Sequence, residues 1–550
     1  MSLNIGAAKC KVDLRQAIEF NMQGFADEDQ KATRIGMDFY SRAFTIADDH
    51  HGRVAIAVVD LWACTESIKK EVVARIDAKT PGGHSLFNIE NVQVVGTHTH
   101  SGPAGISEYS LYNFSSGGFK KAIRDAYADA IAQSIFDAFK GEGSGDVILR
   151  RINVEDCGRN RSAPAYLNNP EEERRRYGKD TDTEMVVLEF VKRDKGRIGI
   201  LSWYPIHGTD LGQVNTALHG DNKGIASQIL EQEQKICPVA AFANANAGDV
   251  SGNVEFKSLP TADTSRARKH GKQQADAVIS ALNQSRFGDT APAQVACQYS
   301  AVDMSNVTIA STGKRTYVPT LGLSMFAGSP ADSTPPFITK PLSPGLVRGG
   351  YGIKEAAIQA LLVAGGSKGD INRELMQYIA GNNRKLADAL VKLEAVALQT
   401  VFAGLEVVRA FKGTPGAPSF STLTEAEKAG HDPKPITMVA KGIVPSRLPL
   451  QLMRIGDLVI AGVPGEMTTM AGRRLKAALR ERYDALRPKK GKFSGPVRDV
   501  VVSGYANAYS QYITTPEEYA KQYYEGASTL FGPHTLDAYI QEFCKLVPSS

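Results

Sequence analysis

Two histidines one residue apart, His98 and His100, close the segment 91–105, NVQVVGTHTHSGPAG, directly after the mostly apolar run 92–95. In an extended segment, side chains two apart point to the same side. A strand ending in His-x-His therefore aims two imidazoles at one small volume. Nitrogen ligands for a divalent transition metal are presented in this way, and the following Gly and Pro leave room for a substrate. Three further strand ends carry polar groups of the same kind. His207, followed by Gly208, lies just past the apolar run 197–203, and Asp249 and Ser251 follow the run 240–243. Glu466 follows the run 458–463 and heads the helix-forming stretch 467–483, where a carboxylate is favoured by the helix dipole.

Elements able to hold these groups alternate along the chain. Residues 41–47 and 53–59 read as paired strands, with β-branched and apolar residues frequent in both and a polar link between them. The apolar spacing of 66–76 and 119–139, and of the basic stretch 265–282, predicts amphipathic helices. The segment 21–26 reads as a loop in which Gly24 lets the backbone come close to something. The polar loop 158–170 contains Arg161. Such an arginine is usually exposed, but one turned inward can clamp a carboxylate or an oxyanion. The Pro-, Gly- and Ser-rich stretch 302–344 has the character of a lid or substrate wall. Helices are predicted at 353–363 and 385–411, and a last short strand at 500–502 precedes the tyrosine-rich segment 505–524. Strands that repeatedly end in glycine-flanked polar residues, with helices between them, predict an α/β domain with its site along the strand ends.

Composition bounds the function. With 550 residues, 42% hydrophobic and 22% charged, the chain has the make-up of an ordinary globular protein with ample core. A net charge of +5 is slight for this length and argues against nucleic acid as a partner. The six cysteines are scattered without a Cys-x-x-Cys, which excludes a thiolate zinc cluster or a dense disulfide frame and leaves room for one disulfide. Charged residues in the first twenty positions exclude the apolar core of a signal peptide. No run approaches the roughly 18 apolar residues of a transmembrane helix. The expectation is a soluble chain, cytoplasmic as it stands or secreted or periplasmic if a leader has been trimmed.

The strand-end motifs together, and in this order, resemble the neutral ceramidase family. They are Thr97-His98-Thr99-His100-Ser101-Gly102-Pro103, Asn160-Arg161-Ser162, His207-Gly208-Thr209 with Gly220-Asp221-Asn222-Lys223-Gly224, and Gly248-Asp249-Val250-Ser251. Val463-Pro464-Gly465-Glu466-Met467-Thr468-Thr469 and Tyr512-Ile513-Thr514-Thr515-Pro516-Glu517-Glu518-Tyr519, with Tyr524-Glu525-Gly526, complete the set, and Asn21-Met22 with Gly24 fits less tightly. The resemblance spans nearly the whole chain. It implies one large catalytic domain over 1–550, of mixed β-sheets flanked by helices in a layered sandwich, with a helical sub-lobe at about 350–420. It implies one catalytic zinc ion held by His98, His207, Glu466 and Tyr512. His100, Arg161 and Tyr524 would be catalytic or adjoin the metal, Ser251 would be the serine that the family has been suspected to need, and Gly24 would line the substrate. The reaction implied is hydrolysis of the N-acyl amide of ceramide or a related N-acyl lipid to a fatty acid and an amine base. The residues agree on type, since two imidazoles, a carboxylate and an open position for water make a hydrolytic zinc site. A phenolate ligand such as Tyr512 rests on the resemblance alone.

Three departures stand out. Gly252 replaces the family's usual proline, His219 precedes the Gly-Asp-Asn-Lys-Gly run, and only 26 residues follow Tyr524, so the C-terminal immunoglobulin-like domain of many members is not expected here. Two other readings stay open. One is a serine hydrolase centred on Ser251, although Gly-Asp-x-Ser lacks the Gly-x-Ser-x-Gly elbow. The other is a metal-free lipid-binding relative. His50, His51, His84, His270 and His534 read as surface or packing residues, and the tyrosines of 505–524, apart from the family, as core or interface aromatics.

Overall fold

A computed structural model describes residues 3–332 and 423–548, apart from breaks at 28, 80–85, 234, 254–261, 284–287, 323, 326–327, 330, 435 and 487–494. The helices predicted at 353–363 and 385–411, the sub-lobe they would form and the far part of the lid stretch lie outside the described residues.

Strands that are apolar on both faces dictate the architecture. In Arg53–Val59, the side chains of Val54, Ile56 and Val58 enter one core, whereas Ala55, Ala57 and Val59 enter another. In Leu458–Gly462, Leu458 and Ile460 join the first of these cores, and Val459 and Ala461 a third. Alternate side chains leave opposite faces of a strand, so sheets made of such strands must be covered on both sides. Four layers result. Among the described residues the larger sheet has nine strands. Its order is Val239–Ala243, Gly196–Trp203, Glu184–Lys192, Gly143–Asn153, Leu3–Lys11, Tyr40–Ala47, Arg53–Val59 and Val92–Gly96, with Gly288–Thr290 paired to Gly143–Asn153. A second sheet of Val295–Asp303, Arg447–Ile455, Leu458–Gly462 and Asp499–Ser503 packs on it. Phe44, Ile46, Phe190 and Trp203 meet Met453, Ile455 and Val501 between the two.

Helices cover the outer faces. Glu66–Lys79 and Lys121–Lys140 set Ile68, Val72, Ile131 and Ile135 on the larger sheet. Asp221–Gln228 and Ser265–Asn283 cover its other half with Ala226, Ala275 and Val278. Thr469–Leu486 and Thr535–Leu546 bring Leu475, Leu479, Tyr539 and Phe543 to the second sheet. The fold is the expected α/β sandwich of mixed sheets with flanking helices. Among the described residues, no helix is long and apolar enough to cross a membrane. None of the six cysteines forms a disulfide.

Five strands of nine or more residues carry no signal in the sequence: Leu3–Lys11, Gly143–Asn153, Glu184–Lys192, Val295–Asp303 and Arg447–Ile455. The pairing of the second and third shows why. Arg150 lies in the interior and donates through Nε and Nη2 to Glu189 Oε2 at 2.9 and 2.7 Å. A buried ion pair breaks the apolar pattern that marks a buried strand.

Within the two large sheets three strand pairs run parallel: Arg53–Val59 with Val92–Gly96, Gly196–Trp203 with Val239–Ala243, and Leu458–Gly462 with Asp499–Ser503. The segments leaving the carboxyl ends of Val92–Gly96, Gly196–Trp203, Val239–Ala243, Leu458–Gly462 and Asp499–Ser503 carry His98, His207, Ser251, Glu466 and Tyr512 in turn. Open α/β sheets present their sites at such ends.

Candidate metal and catalytic site

The two imidazoles of His-x-His do meet, but not by strand alternation. The strand ends at Gly96, and His98 has φ +68°, in the left-handed region. The His98 N–H donates to Leu61 O at 2.9 Å and the His100 N–H to Gly208 O at 3.0 Å. A left-handed residue with the amides of 98 and 100 both pinned thus brings the rings edge to face, with centroids 4.7 Å apart. The extended geometry expected for this segment is therefore corrected, while its consequence survives.

Ligand nitrogens of His98, His100 and His207 lie within 4.8 Å of one another, and all three residues are buried. His98 Nδ1 is 2.9 Å from Trp62 O, and His207 Nδ1 is 2.8 Å from Ala247 O. A carbonyl only accepts, so each Nδ1 carries the proton and each Nε2 keeps a lone pair. Those lone pairs converge. His98 Nε2 stands 3.1 Å from His100 Nε2, and His207 Nε2 is buried without a hydrogen-bond partner. Glu466 closes the set, with Oε2 3.1 Å from His207 Nε2 and Oε1 3.4 Å from His98 Nε2. A tetrahedral zinc site with bonds of about 2.0–2.1 Å sets its ligand atoms about 3.3 Å apart. Acceptor nitrogens and a carboxylate gathered at that spacing fit a divalent cation, and Nδ1–H bonds to main-chain carbonyls are what orient metal-bound histidines.

Electrostatics agree. Burial pushes the pKa of His98 down to about 3, and burial together with His98 and His207 holds that of His100 well below the usual imidazole range. Both rings are neutral near pH 7, as ligands or bases must be. Burial alone would raise the Glu466 carboxyl, and the Tyr509 hydroxyl that donates to it works in the opposite direction. Tyr505 Oη donates to Glu466 Oε2 at 3.2 Å, Tyr509 Oη donates to Oε1, and the Tyr505 ring stacks on His98 at 3.9 Å.

Tyr512 is set beside Glu466 through the backbone. Glu466–Met467 pairs in parallel with Tyr512–Ile513, in the register Glu466 opposite Tyr512. Arg161 turns inward. Its Nη2 donates to Tyr512 Oη at 2.9 Å and to Gly248 O at 2.8 Å, its Nη1 to Asp332 Oδ2 at 2.8 Å, and its Nε to Glu525 Oε1 at 2.9 Å. Burial would lower the pKa of the guanidinium, but Tyr512, Glu525 and Asp332 more than compensate and keep it charged. Tyr524 packs edge-on to Tyr512 at 5.2 Å, and burial pushes its phenol up to about 12.

Ser251 is buried, donates to Asp332 Oδ1 at 2.5 Å and accepts the Asn253 N–H at 2.9 Å. Thr209 Oγ1 donates to the same Asp332 oxygen at 2.9 Å. Gly24 has φ +125° and backs onto the His100 ring, where a Cβ would overlap Cγ and Nδ1. The Phe25 ring contacts His100 edge-on at 4.8 Å.

Several participants were not legible. Asp332, which with Glu525 seats Arg161, is a single carboxylate in a segment with no pattern, and Glu525 stands in the Tyr524-Glu525-Gly526 motif without a role assigned to it. Tyr505 and Tyr509 carried the weak signal of a tyrosine-rich run. His270, read as a surface or packing residue, is 1% exposed and meets Asp210 Oδ2 through Nδ1 at 2.9 Å. Asp210 also explains Gly252, since a Cβ at 252 would overlap Asp210 Oδ1.

Comparison with known proteins converges on one family. The model of the neutral/alkaline non-lysosomal ceramidase N-terminal region matches residues 4–341 and 416–541. The chain is 30% identical over 602 residues to a neutral ceramidase of Oryza sativa subsp. japonica, covering 96% of this chain and 73% of that protein. It is 31% identical over 539 residues to the neutral ceramidase of Pseudomonas aeruginosa, covering 96% and 69%. A solved ceramidase complexed with C2 superposes with a TM-score of 0.77 at 28% identity, over 100% of this chain and 75% of that one. The crystal structure of the Pseudomonas aeruginosa neutral ceramidase superposes with a TM-score of 0.75 at 27% identity, over 100% and 74%. Fold, motif order and near-complete coverage point the same way, and this chain, a hydrolase of linear amide C–N bonds, belongs to the neutral/alkaline non-lysosomal ceramidase family.

Proposed function

We propose that this protein is a zinc-dependent amidohydrolase that cleaves the N-acyl amide of ceramide, or of a closely related N-acyl lipid, to a free fatty acid and an amine base. The observation that carries the reading is the meeting of His98 Nε2, His207 Nε2 and the Glu466 carboxylate at 3.1–3.4 Å, with both Nδ1 protons committed elsewhere. His98, His207, Glu466 and Tyr512 hold the ion. When bound, zinc lowers the pKa of its water toward roughly 7 and polarises the amide carbonyl.

The chain's own groups do the rest. His100, neutral and beside His98, takes the proton of the attacking water at Nε2 and returns it to the amine nitrogen as the C–N bond breaks. Tyr524 keeps its phenolic proton at neutral pH and donates it as a hydrogen bond to the carbonyl oxygen as charge builds there. Arg161 holds the Tyr512 oxygen from outside the ligand set and adds positive charge behind the developing oxyanion. Gly24 fixes the His100 ring from one side and, having no side chain, leaves the acyl path open. The catalytic unit is the whole chain, residues 1–550, because groups from 98 to 525 must be held together.

Ser251 serves as a structural hydroxyl. A serine nucleophile needs a base within reach, and Ser251 instead donates to Asp332, a carboxylate that Arg161 holds below the usual range against the effect of burial. Metal analysis of the purified protein, with N-acylsphingosines as substrates, tests the proposal. About one zinc per chain is expected, loss of turnover with a chelator, recovery with zinc, and no more than about a tenfold loss in Ser251→Ala. A chelator-resistant enzyme that Ser251→Ala inactivates would instead be the serine hydrolase, and a metal-free, inactive protein the lipid-binding relative.

Gly24→Ala is a second test. The new methyl group must push the His100 ring aside, and misplacing a catalytic group by about an ångström can reduce turnover about 100-fold. Zinc content should be unchanged, because none of the four proposed ligands is touched. Turnover and metal analysis on one preparation would check this, and turnover near the wild-type value would contradict the placement of His100.

A further inference from the structure

A cavity of about 80 Å³ opens between the helix Glu66–Lys79 and the paired strands Val295–Asp303 and Arg447–Ile455. Its existence follows from register. Tyr299 and Ala301 alternate along one strand, and Pro449, opposite Ala301, and Arg447 along the other, so all four share one face of the sheet. Ala301 and Pro449 are too small to fill the gap beneath the helix.

The lining is cationic. Lys69 is 2% exposed, and its Nζ donates to Val92 O and, at 2.9 Å, to Asn507 Oδ1, both neutral acceptors. No carboxylate is within ion-pair reach of Lys69 among the described residues, and burial pushes its pKa down to about 7. A three-donor ammonium with two acceptors has one N–H uncommitted. Arg447 lines the same cavity, and no carboxylate of the described residues pairs with it. Glu66, the acidic group of the lining, is taken by Lys70 at 2.7 Å on the outer turn of the helix. Tyr299 adds a hydroxyl. Lys70 also lines the space, so three cations and a hydroxyl face a single carboxylate, Glu66, which Lys70 pairs; the remaining excess of positive charge is the donor set of an oxyanion site.

We propose that this cavity binds a small free oxyanion of phosphate or sulfate size, held by Lys69 Nζ, the Arg447 guanidinium and the Tyr299 hydroxyl. The anion supplies the negative charge that Lys69 lacks. The space matches one anion of that size and holds no glycerol backbone beside it. The site also has a physical link to the metal ligands. Asn507 Oδ1 accepts from Lys69 and, at 3.0 Å, from the Val94 N–H of the strand that precedes His98. Asn507 itself lies between Tyr505 and Tyr509, which hold the Glu466 carboxylate.

Thermal unfolding of the full chain titrated with inorganic phosphate, at constant ionic strength made up with chloride, tests the site. A saturable rise in Tm with half-saturation in the millimolar range is expected for wild type. Arg447→Ala should weaken half-saturation about tenfold, and Lys69→Met should abolish the shift. Should Lys69→Met fail to fold, Arg447→Ala and Tyr299→Phe carry the test, read by ³¹P line broadening of the added phosphate. The proposal fails if wild type gives no saturable shift, or if Arg447→Ala responds as wild type does. Vesicles of phosphatidic acid should leave Tm unchanged, and a shift produced by vesicles and not by free phosphate would replace the free anion with a headgroup and overturn the assignment.

Discussion

His207→Ala is expected to leave a folded protein without its metal and with kcat/KM reduced about 10³-fold or more. The imidazole contributes an Nε2 lone pair that has no hydrogen-bond partner of its own, and its Nδ1–H spends its bond on Ala247 O. Removing it costs the fold little, because the main chain of 207 stays anchored. Its N–H donates to Val250 O at 3.1 Å, and its carbonyl accepts from Asn222 Nδ2 at 2.8 Å. The chemistry has no such redundancy. A catalytic metal provides several kcal/mol of transition-state stabilisation, and each 1.4 kcal/mol is about tenfold in rate. Metal analysis, N-acylsphingosine turnover and thermal unfolding on one preparation would check all three statements. Stoichiometric zinc with turnover within tenfold of wild type would remove His207 from the ligand set.

Arg161→Ala is expected to act on stability and activity together. The guanidinium lies between two buried carboxylates, Asp332 and Glu525, and the side chains of all three are no more than 3% exposed. Taking away one partner of a buried ion pair leaves an uncompensated charge and destabilises by about 3–5 kcal/mol. Neighbouring donors soften this only in part, since Ser162 Oγ still donates to Glu525 Oε2 at 2.5 Å and Ser251 and Thr209 to Asp332. On the activity side, the Tyr512 oxygen loses its 2.9 Å donor and the developing oxyanion loses the charge behind it. A loss of about 10²–10³ in kcat matches removal of one such donor. Arg161→Lys separates the two effects. A point charge can neutralise one carboxylate but cannot bond Asp332, Glu525, Gly248 O and Tyr512 at once, so part of the stability should return and little of the rate. Denaturant unfolding beside kinetics measures both, and an Arg161→Lys enzyme with wild-type kcat would show that the fork geometry is unnecessary.

The fold was legible wherever burial leaves a simple pattern. Strands buried on both faces, such as Arg53–Val59 and Leu458–Gly462, stand in the sequence as short apolar runs. Long helices with one wet face, such as Ser265–Asn283, keep their period of three and four. Strands were missed where the interior is polar or the residues small. Gly143–Asn153 carries Arg150 inward to Glu189, and Leu3–Lys11 is built from Gly, Ala and Lys as much as from Leu and Ile. Within the site, His98, His207 and Glu466 were legible because each follows an apolar run. His100 was placed correctly beside His98, for the wrong backbone reason. Tyr512 and Tyr524 depended on likeness to a family, because a phenol carries no metal-site signal of its own.

The chain's own order of residues determined the chemical inventory and its periodicity. Which groups follow which strands is written in one dimension, and so are the apolar runs that must be covered on both faces. The tertiary structure decided adjacency. The parallel register of Glu466 opposite Tyr512, the left-handed backbone at His98 and the inward turn of Arg161 set groups from 98 to 525 beside one another. It also selected the partners that no local pattern marks, such as Asp332 for Arg161 and the Trp62 and Ala247 carbonyls for the imidazoles. The reason is physical. Local sequence fixes which way a side chain leaves its own backbone, whereas the contacts that tune a charge or orient a lone pair come from chain segments hundreds of residues away, set by how the two sheets stack.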